Sequence, residues 1–184
     1  MKPTEDLKYE HKAITLMLNV MSNISNSIKD KKVFYTNDVE KIVDFLFVYV
    51  DKCHRNKEEA VFFPALLMTE YPADKIPVGL MINEHSLGKS YLDEIVCSVE
   101  NCKIGSSFSC EKIADCISNY VQLIQNHIQK EENDYFPEAN NALSDEAQLE
   151  ISKQFKLIDD GFVGLGIHNR YDELLKSLEN KYLD

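Results

Sequence analysis

The chain has 184 residues, 44% of them hydrophobic, and a formal net charge of −11 at pH 7. That length suits a single domain with a real apolar core, and the acidic balance argues against nucleic acid or anionic membrane as a partner. No apolar run approaches the roughly 20 residues needed to span a bilayer, and the N-terminus lacks the basic-then-apolar order of a signal peptide.

Few Gly and Pro and few β-branched runs favour an all-α fold. A first helix is predicted over about residues 3 to 30, with Pro3 in its first turn. Leu7, His11, Ile14, Leu18, Met21 and Ile28 share one stripe, which turns His11 toward the core. A second helix follows from near Asn37 or Asp38, either of which suits an N-cap. Its stripe is Val43, Phe47, Val50, His54, Glu58, Val61 and Ala65. Pro64 is expected to kink or end it, because proline has no N–H and crowds the preceding turn.

Residues 69 to 76 read as a linker. A third helix runs from near Asp74 or Pro77 to Lys103, on a stripe of Met81, His85, Gly88, Leu92, Ile95, Val99 and Cys102. The fourth starts near Ser109, with Ile113, Ile117, Tyr120, Ile124, His127, Glu131 and Tyr135 on its stripe. Pro137 repeats the role of Pro64. Ser144-Asp145-Glu146 is a capping signal for a further helix. A turn is predicted over residues 160 to 167, and a terminal helix from His168 to Leu183. The reading is an up-down-up-down four-helix bundle over about residues 3 to 143, with a helical extension over about 144 to 184 packed across or beside it.

Five cysteines, Cys53, Cys97, Cys102, Cys110 and Cys116, form no C-x-x-C pair and are odd in number. They predict free thiols in a reducing cytoplasm.

Two stretches carry the chemistry. His54-Arg-Asn-Lys-Glu-Glu-Ala-Val-Phe-Phe-Pro64 and His127-Ile-Gln-Lys-Glu-Glu-Asn-Asp-Tyr-Phe-Pro137 both read H-x-x-K-E-E-x-x-(F/Y)-F-P. Glu10-His11 precedes the first and Glu84-His85 the second at nearly equal spacing, so the unit is duplicated. On a helix, His54 and Glu58, and likewise His127 and Glu131, lie one turn apart on one face. Each of the four predicted bundle helices thus carries one inward His, and two of them also an inward Glu. Buried carboxylates without partners cost several kcal/mol, and metal ions answer that cost. Imidazole plus carboxylate without thiolate suits iron, manganese or zinc, and six donors are too many for one tetrahedral zinc. Two octahedral irons offer about twelve positions. The four His and two bridging Glu fill eight, and oxo, hydroxo, water or an exchangeable ligand take the others. The spacing is His-x-x-x-Glu, not the Glu-x-x-His of ferritin-type sites.

These residues resemble the hemerythrin-like (HHE cation-binding) domain family, in its single-domain prokaryotic form, over about residues 5 to 140. The resemblance implies a four-helix bundle with a non-haem di-iron centre. His11 and His54 would hold one iron, His85 and His127 the other, and Glu58 and Glu131 would bridge them. Oxygen-carrying members have a second His four residues after the helix-3 His; here that position is Lys89. The resulting four-His, two-Glu set is similar to that of the repair-of-iron-centres (RIC) proteins, whose usual N-terminal Cys-bearing domain this chain lacks.

The implied function is binding of a small diatomic ligand, O2 or NO, for sensing or handling, with Mn or Zn as substitute metals. The alternative is repair of iron–sulfur centres, reduction of NO or peroxide as a di-iron oxidoreductase, or iron storage and sensing. A homodimer and a protein partner for any output stay open. Glu10 and Glu84 are read either as acceptors for an imidazole N–H or as part of a solvated face. Glu59 and Glu132 share that ambiguity and are read as surface, as are Lys57 and Lys130, with snorkelling near the site as the lesser alternative for the lysines. Tyr120 and Cys53 are read as core, with a ligand contact as the lesser alternative for Tyr120. His168 is read as a helix-start residue, with capping of the site as its lesser alternative.

Overall fold

The computed structural model describes residues 2–30, 35–70, 72, 75–104, 107–163 and 167–183, without the side chains of 107–109, 162–163 and 167–168. Among the described residues the protein is helical and has no strand. Helix α1 spans Pro3–Lys29. The second long helix is composite. It begins as α2, Thr36–Phe45, passes through a π-helical stretch Leu46–His54, a short α3 Arg55–Lys57 and a second π-helical stretch Glu58–Phe62, and ends as α4, Phe63–Leu67. Helix α5 is Val78–Lys103 and α6 is Ser107–Lys130. Beyond α6 come a π-helical stretch Glu131–Tyr135 and α7, Phe136–Ala142. The chain closes with α8, Asp145–Val163, and α9, Ile167–Tyr182.

Both prolines sit at the start of a new α-helical segment, directly after a π-helical one. A proline ring clashes with the carbonyl four residues earlier. That carbonyl belongs to Ala60 for Pro64 and to Asn133 for Pro137, and both lie in the widened turns. The helix therefore accommodates its proline by opening one turn, and α7 continues to Ala142 where a stop was one of the expected outcomes. The π-helical geometry also shifts the stripe of the second helix. Phe47, expected inside, is 44% exposed, whereas Phe45, Leu46 and Tyr49 are buried.

Other expectations are corrected at the ends of elements. Neither Asn37 nor Asp38 caps α2, whose N-cap position is Tyr35. Asp38 instead accepts hydrogen bonds from Lys181 (2.5 Å) and Tyr182 (2.8 Å) and ties down α9. Ser144 does cap α8, taking the Ala147 N–H at 3.2 Å. Where a turn was expected from residue 160, α8 runs on to Val163, and residues 164–166 lie outside the described residues. Asp74 and the side chain of His168 lie outside the described residues.

Helix α1 runs antiparallel to the α6–α7 stretch. Ser25 on α1 donates to the Ala114 carbonyl of α6 at 2.8 Å, while at the other end Thr4 donates to Asn140 at 3.1 Å. Lys103 near the end of α5 pairs with Glu40 near the start of α2. The core falls into two apolar clusters. The larger holds Ile14, Val50, Leu92, Ile124 and the α9 residues Tyr171, Leu175 and Leu178. The smaller holds Leu7, Phe62, Phe63, Met81, Phe136 and the α8 residues Ile151 and Phe155. In sequence, each of the four histidines falls between a residue of one cluster and a residue of the other, so a polar layer separates them.

Cys102 and Cys110 are joined in a disulfide, with Cα atoms 5.0 Å apart. This corrects the expectation of five free thiols and removes the argument from them for a reducing cytoplasm. The pairing comes from the α5–α6 hairpin, which returns the chain to the same level. A sequence separation of 8 gives no such sign by itself. Cys53, Cys97 and Cys116 are free. Thiol titration of the unfolded protein should therefore give three thiols before reduction and five after it. Cys102→Ser should destabilise the fold by about 2 kcal/mol, as closure of so short a loop implies, measured by chemical denaturation.

Candidate metal centre

The repeated motif becomes a layer of interlocked side chains. His11, His54, Glu58 and Glu131 form one group of potential ligands, and Glu58, His85, His127 and Glu131 a second. In each group the donor atoms lie within 4.8 Å of one another, and the groups share both glutamates. Glu58 and Glu131 are fully buried. Each opens a π-helical turn, a local geometry often found at functional sites.

Each of these four histidines is gripped from behind through Nδ1. His54 donates to Glu10 at 2.8 Å, His127 to Glu84 at 2.8 Å, His11 to Glu132 at 2.9 Å and His85 to Glu59 at 2.6 Å. The letters of the motif now have separate tasks. The first Glu of K-E-E points inward. The second reaches the imidazole of a neighbouring helix. The Lys holds the Glu that precedes the other histidine, with Lys57 on Glu10 at 2.6 Å and Lys130 on Glu84. The Phe before each proline stacks on an imidazole, Phe136 on His11 with centroids 5.7 Å apart and Phe63 on His85 at 6.0 Å. The surface reading of Lys57 is corrected, since it is 1% exposed. Glu59 is exposed and Glu132 and Lys130 are partly so, as a surface reading expects, yet each also contacts the layer or its support. The signal for them was present, since K-E-E recurs intact in both blocks while the residues around it differ.

An imidazole clamped at Nδ1 by a carboxylate keeps its proton there and presents a bare lone pair at Nε2. These lone pairs converge. Nε2 of His85 and Nε2 of His127 face each other at 3.0 Å. Carboxylate oxygens stand close to the same atoms, Glu131 at 3.0 Å from His127 Nε2 and 3.3 Å from His11 Nε2, and Glu58 at 3.6 Å from His54 and 3.4 Å from His85. His11 Nε2 and all four oxygens of Glu58 and Glu131 are buried without a hydrogen-bond partner. The two carboxylates fare differently: burial works to raise Glu131, yet His127 and His11 hold it well below its ordinary range. Burial, and then the charge of Glu131, push the Glu58 carboxyl well above its ordinary range. Burial drives the His85 imidazole down to about 4. Cations between the six side chains resolve both, so the donor set fits a metal pair.

The supporting shell is also electrostatic. Burial works to raise the Glu10 carboxyl, yet the bonds from His54 and Lys57 hold it below its usual range. Lys57 in turn reaches Asp159 of α8 at 2.8 Å. A third acidic cluster, Glu10, Cys53 and Asp159, is thereby already filled by an ammonium group. Cys53 is a buried thiol pushed up to about 12 by burial and is not activated.

Two spaces adjoin the layer. A cavity of about 10 Å³ is lined by Ile14, Val50, Ile124 and Ile128 with Arg55, His54, His85 and His127. An outer cleft of about 500 Å³ is lined by residues that include Asp51, Arg55, Glu59, His85 and Lys89. Lys89 is exposed on that cleft. Tyr120 is buried, and its hydroxyl pairs with the Arg55 guanidinium.

Residues 2–139 match the family model described as the hemerythrin HHE cation binding domain. Neither the curated proteins nor the solved structures compared with the chain gave a match. No helix of the described residues is long and apolar enough to cross a membrane. The clamps generate a prediction. Glu10→Gln should weaken metal binding by roughly 10- to 100-fold, as loss of a carboxylate behind a ligand His does, whereas Glu100→Gln on the exposed face of α5 should not. Competition against a chelator of known affinity reads the difference.

Proposed function

The chain belongs to the hemerythrin HHE cation-binding family, and from that premise we propose that it is a non-haem di-iron protein that binds a small diatomic ligand, O2 or NO, for sensing or handling. In this reading the whole chain is one hemerythrin-like domain. The four long helical stretches form an up-down-up-down bundle over about residues 3 to 143, with residues 144 to 184 as its helical extension. His11 and His54 hold one ion, His85 and His127 the other, and Glu58 and Glu131 are shared between them. Iron is the proposed ion, with Mn or Zn as substitutes that fit the same donors.

The observation that carries the reading is the convergence of four buried imidazoles on two buried carboxylates whose four oxygens have no hydrogen-bond partner. When bound, a redox-active metal pair supplies a centre at which a diatomic molecule can bind and exchange electrons. The chain's own residues do the rest. Glu10, Glu59, Glu84 and Glu132 hold the proton of each imidazole at Nδ1 and leave Nε2 free. Ile14, Val50, Ile124 and Ile128 line the adjoining cavity and keep bulk water away. That cavity, about 10 Å³, admits roughly one water-sized group, which suits a diatomic ligand better than an organic substrate.

A second reading is handling with turnover, as in reduction of NO or peroxide or repair of iron–sulfur centres. It draws support from the near two-fold symmetry of the donors and from Lys89, which stands out on the cleft and gives neither ion a third imidazole. Anaerobic loading with iron, reduction, and cycles of O2 addition and removal separate the two. A visible band that appears and vanishes at two irons per chain is expected. Irreversible oxidation or release of iron would instead favour the handling reading. Glu58→Ala and Glu131→Ala should each lose at least one metal and lower stability by several kcal/mol, since buried imidazoles are left unpaired. Full metal retention in both variants, measured by elemental analysis, would sink the bridging roles.

A further inference from the structure

The duplicated unit ends before α8, yet the contacts that support it do not. Residues 2–139 match the family model, and α8, Asp145–Val163, lies beyond them. Each half of the repeat places a lysine on the glutamate behind a histidine, Lys57 on Glu10 and Lys130 on Glu84. The surroundings of the two lysines differ. The Lys130 side chain is 32% exposed and has Glu84 as its ion pair among the described residues. The Lys57 side chain is 1% exposed, with Asp159 and the Phe155 ring of α8 against it.

The covered lysine links α8 to an imidazole. His54 Nδ1 donates to Oε2 of Glu10 at 2.8 Å, and Lys57 Nζ donates to the other oxygen, Oε1, at 2.6 Å. The same ammonium lies 2.8 Å from Oδ1 and 2.9 Å from Oδ2 of Asp159. Ile151 and Phe155, on the same helix, seat in the smaller apolar cluster. The polar side of α8 is thus docked on a charge that also holds the support of a candidate metal ligand.

A buried ammonium needs acceptors for its donors. With Asp159 in place, Lys57 stays between two carboxylates and leaves Glu10 Oε2 to His54. Without Asp159 the ammonium has Glu10 as its remaining carboxylate and competes with the imidazole for it. A carboxylate behind a ligand histidine fixes the ring and raises the basicity of its other nitrogen. Loss of Asp159 therefore reaches Nε2 of His54 through Lys57 and Glu10. Linkage between binding events is reciprocal, so whatever docked α8 adds to metal affinity, metal adds to the docking of α8.

We propose that Asp159 is a positioning residue that couples the docking of α8 to occupancy of the ion site at His11 and His54, and leaves the site at His85 and His127 outside the coupling. The inference rests on the metal reading above and adds to it an element, outside the repeat, that responds to the loading of one ion.

Zinc is the probe. Full-length wild type, Asp159→Asn and Asp159→Glu are titrated with zinc against a chelator of known affinity, so that both binding steps are followed. Asp159→Asn should weaken one step by roughly fivefold or more, the low end of couplings between linked sites, and leave the other within about twofold. Asp159→Glu should restore most of the loss. A double-mutant cycle reads the route. In a Lys57→Met background, which leaves no stranded ammonium, Asp159→Asn should have no further effect. In a Lys130→Met background it should keep its full effect. Hydrogen exchange reads the reverse direction. Zinc should slow exchange over residues 155–159 more than in α9, which Asp38 and Asp44 hold instead, and Asp159→Asn should abolish that excess. Zinc steps that are unchanged or weakened alike in Asp159→Asn, an equal effect in both lysine backgrounds, or equal protection of α8 and α9 would overturn the coupling and leave the metal reading standing. Wild-type protein that fails to hold two zinc ions would overturn both together.

Discussion

The structure depends on a set of acceptors turned toward one another in a dry layer. Four imidazoles lose the use of their Nδ1 protons to carboxylates behind them, so that their Nε2 lone pairs meet two buried glutamates in the middle of the fold. No packing of apolar residues relieves this arrangement, because the cost lies in desolvated charge and unpaired lone pairs. Cations would relieve it, and the contacts around the layer hold the six side chains in place. The aromatic stacks on His11 and His85, the lysines on Glu10 and Glu84, and the opened turns at Glu58 and Glu131 all fix orientation.

The layer is also a mechanical joint. It separates the two apolar clusters of the core, and its outer contacts reach parts of the chain beyond the duplicated helices. His54 is tied to Glu10, Glu10 to Lys57, and Lys57 to Asp159 on α8. The last helix, α9, is held elsewhere, by Asp38 and Asp44, and adds Tyr171, Leu175 and Leu178 to the larger cluster. The extension thus contributes a carboxylate to the support of one histidine, and the corresponding lysine of the other half, Lys130, has no such third partner among its ion pairs in the described residues.

Near-symmetry is what makes the exceptions informative. Where two copies of one unit face each other, a residue that differs between them marks a position freed from the shared task of holding metal. Lys89, Gly88 and Arg55 all lie on the side of His85, where the cleft opens. Charged side chains thus stand on one flank, while Ile14 and Ile128 give the cavity apolar walls.

Much of this could be read from the chain before any coordinates. Periodicity put His11, His54, His85 and His127 on inward stripes, and the recurrence of His-x-x-x-Glu marked Glu58 and Glu131, because a helix repeats its faces every three or four residues whatever it packs against. The helical class followed from the same local rule. What stayed hidden were relations between helices. Glu59 and Glu132 read as surface because spacing along one helix cannot show an imidazole arriving from another. Lys57 read as surface because nothing local places Asp159 above it. Phe47 was misplaced because it lies in the π-helical stretch Leu46–His54, whose wider turns change the period over which a stripe is counted. The Cys102–Cys110 bond needed the hairpin that brings its ends level. Sequence alone determined which groups the interior must contain, since that is a matter of period and polarity along one chain. Only the tertiary structure decided which of them are partners, since hydrogen bonds and ion pairs act over about 3 Å between helices whose register the local pattern does not encode.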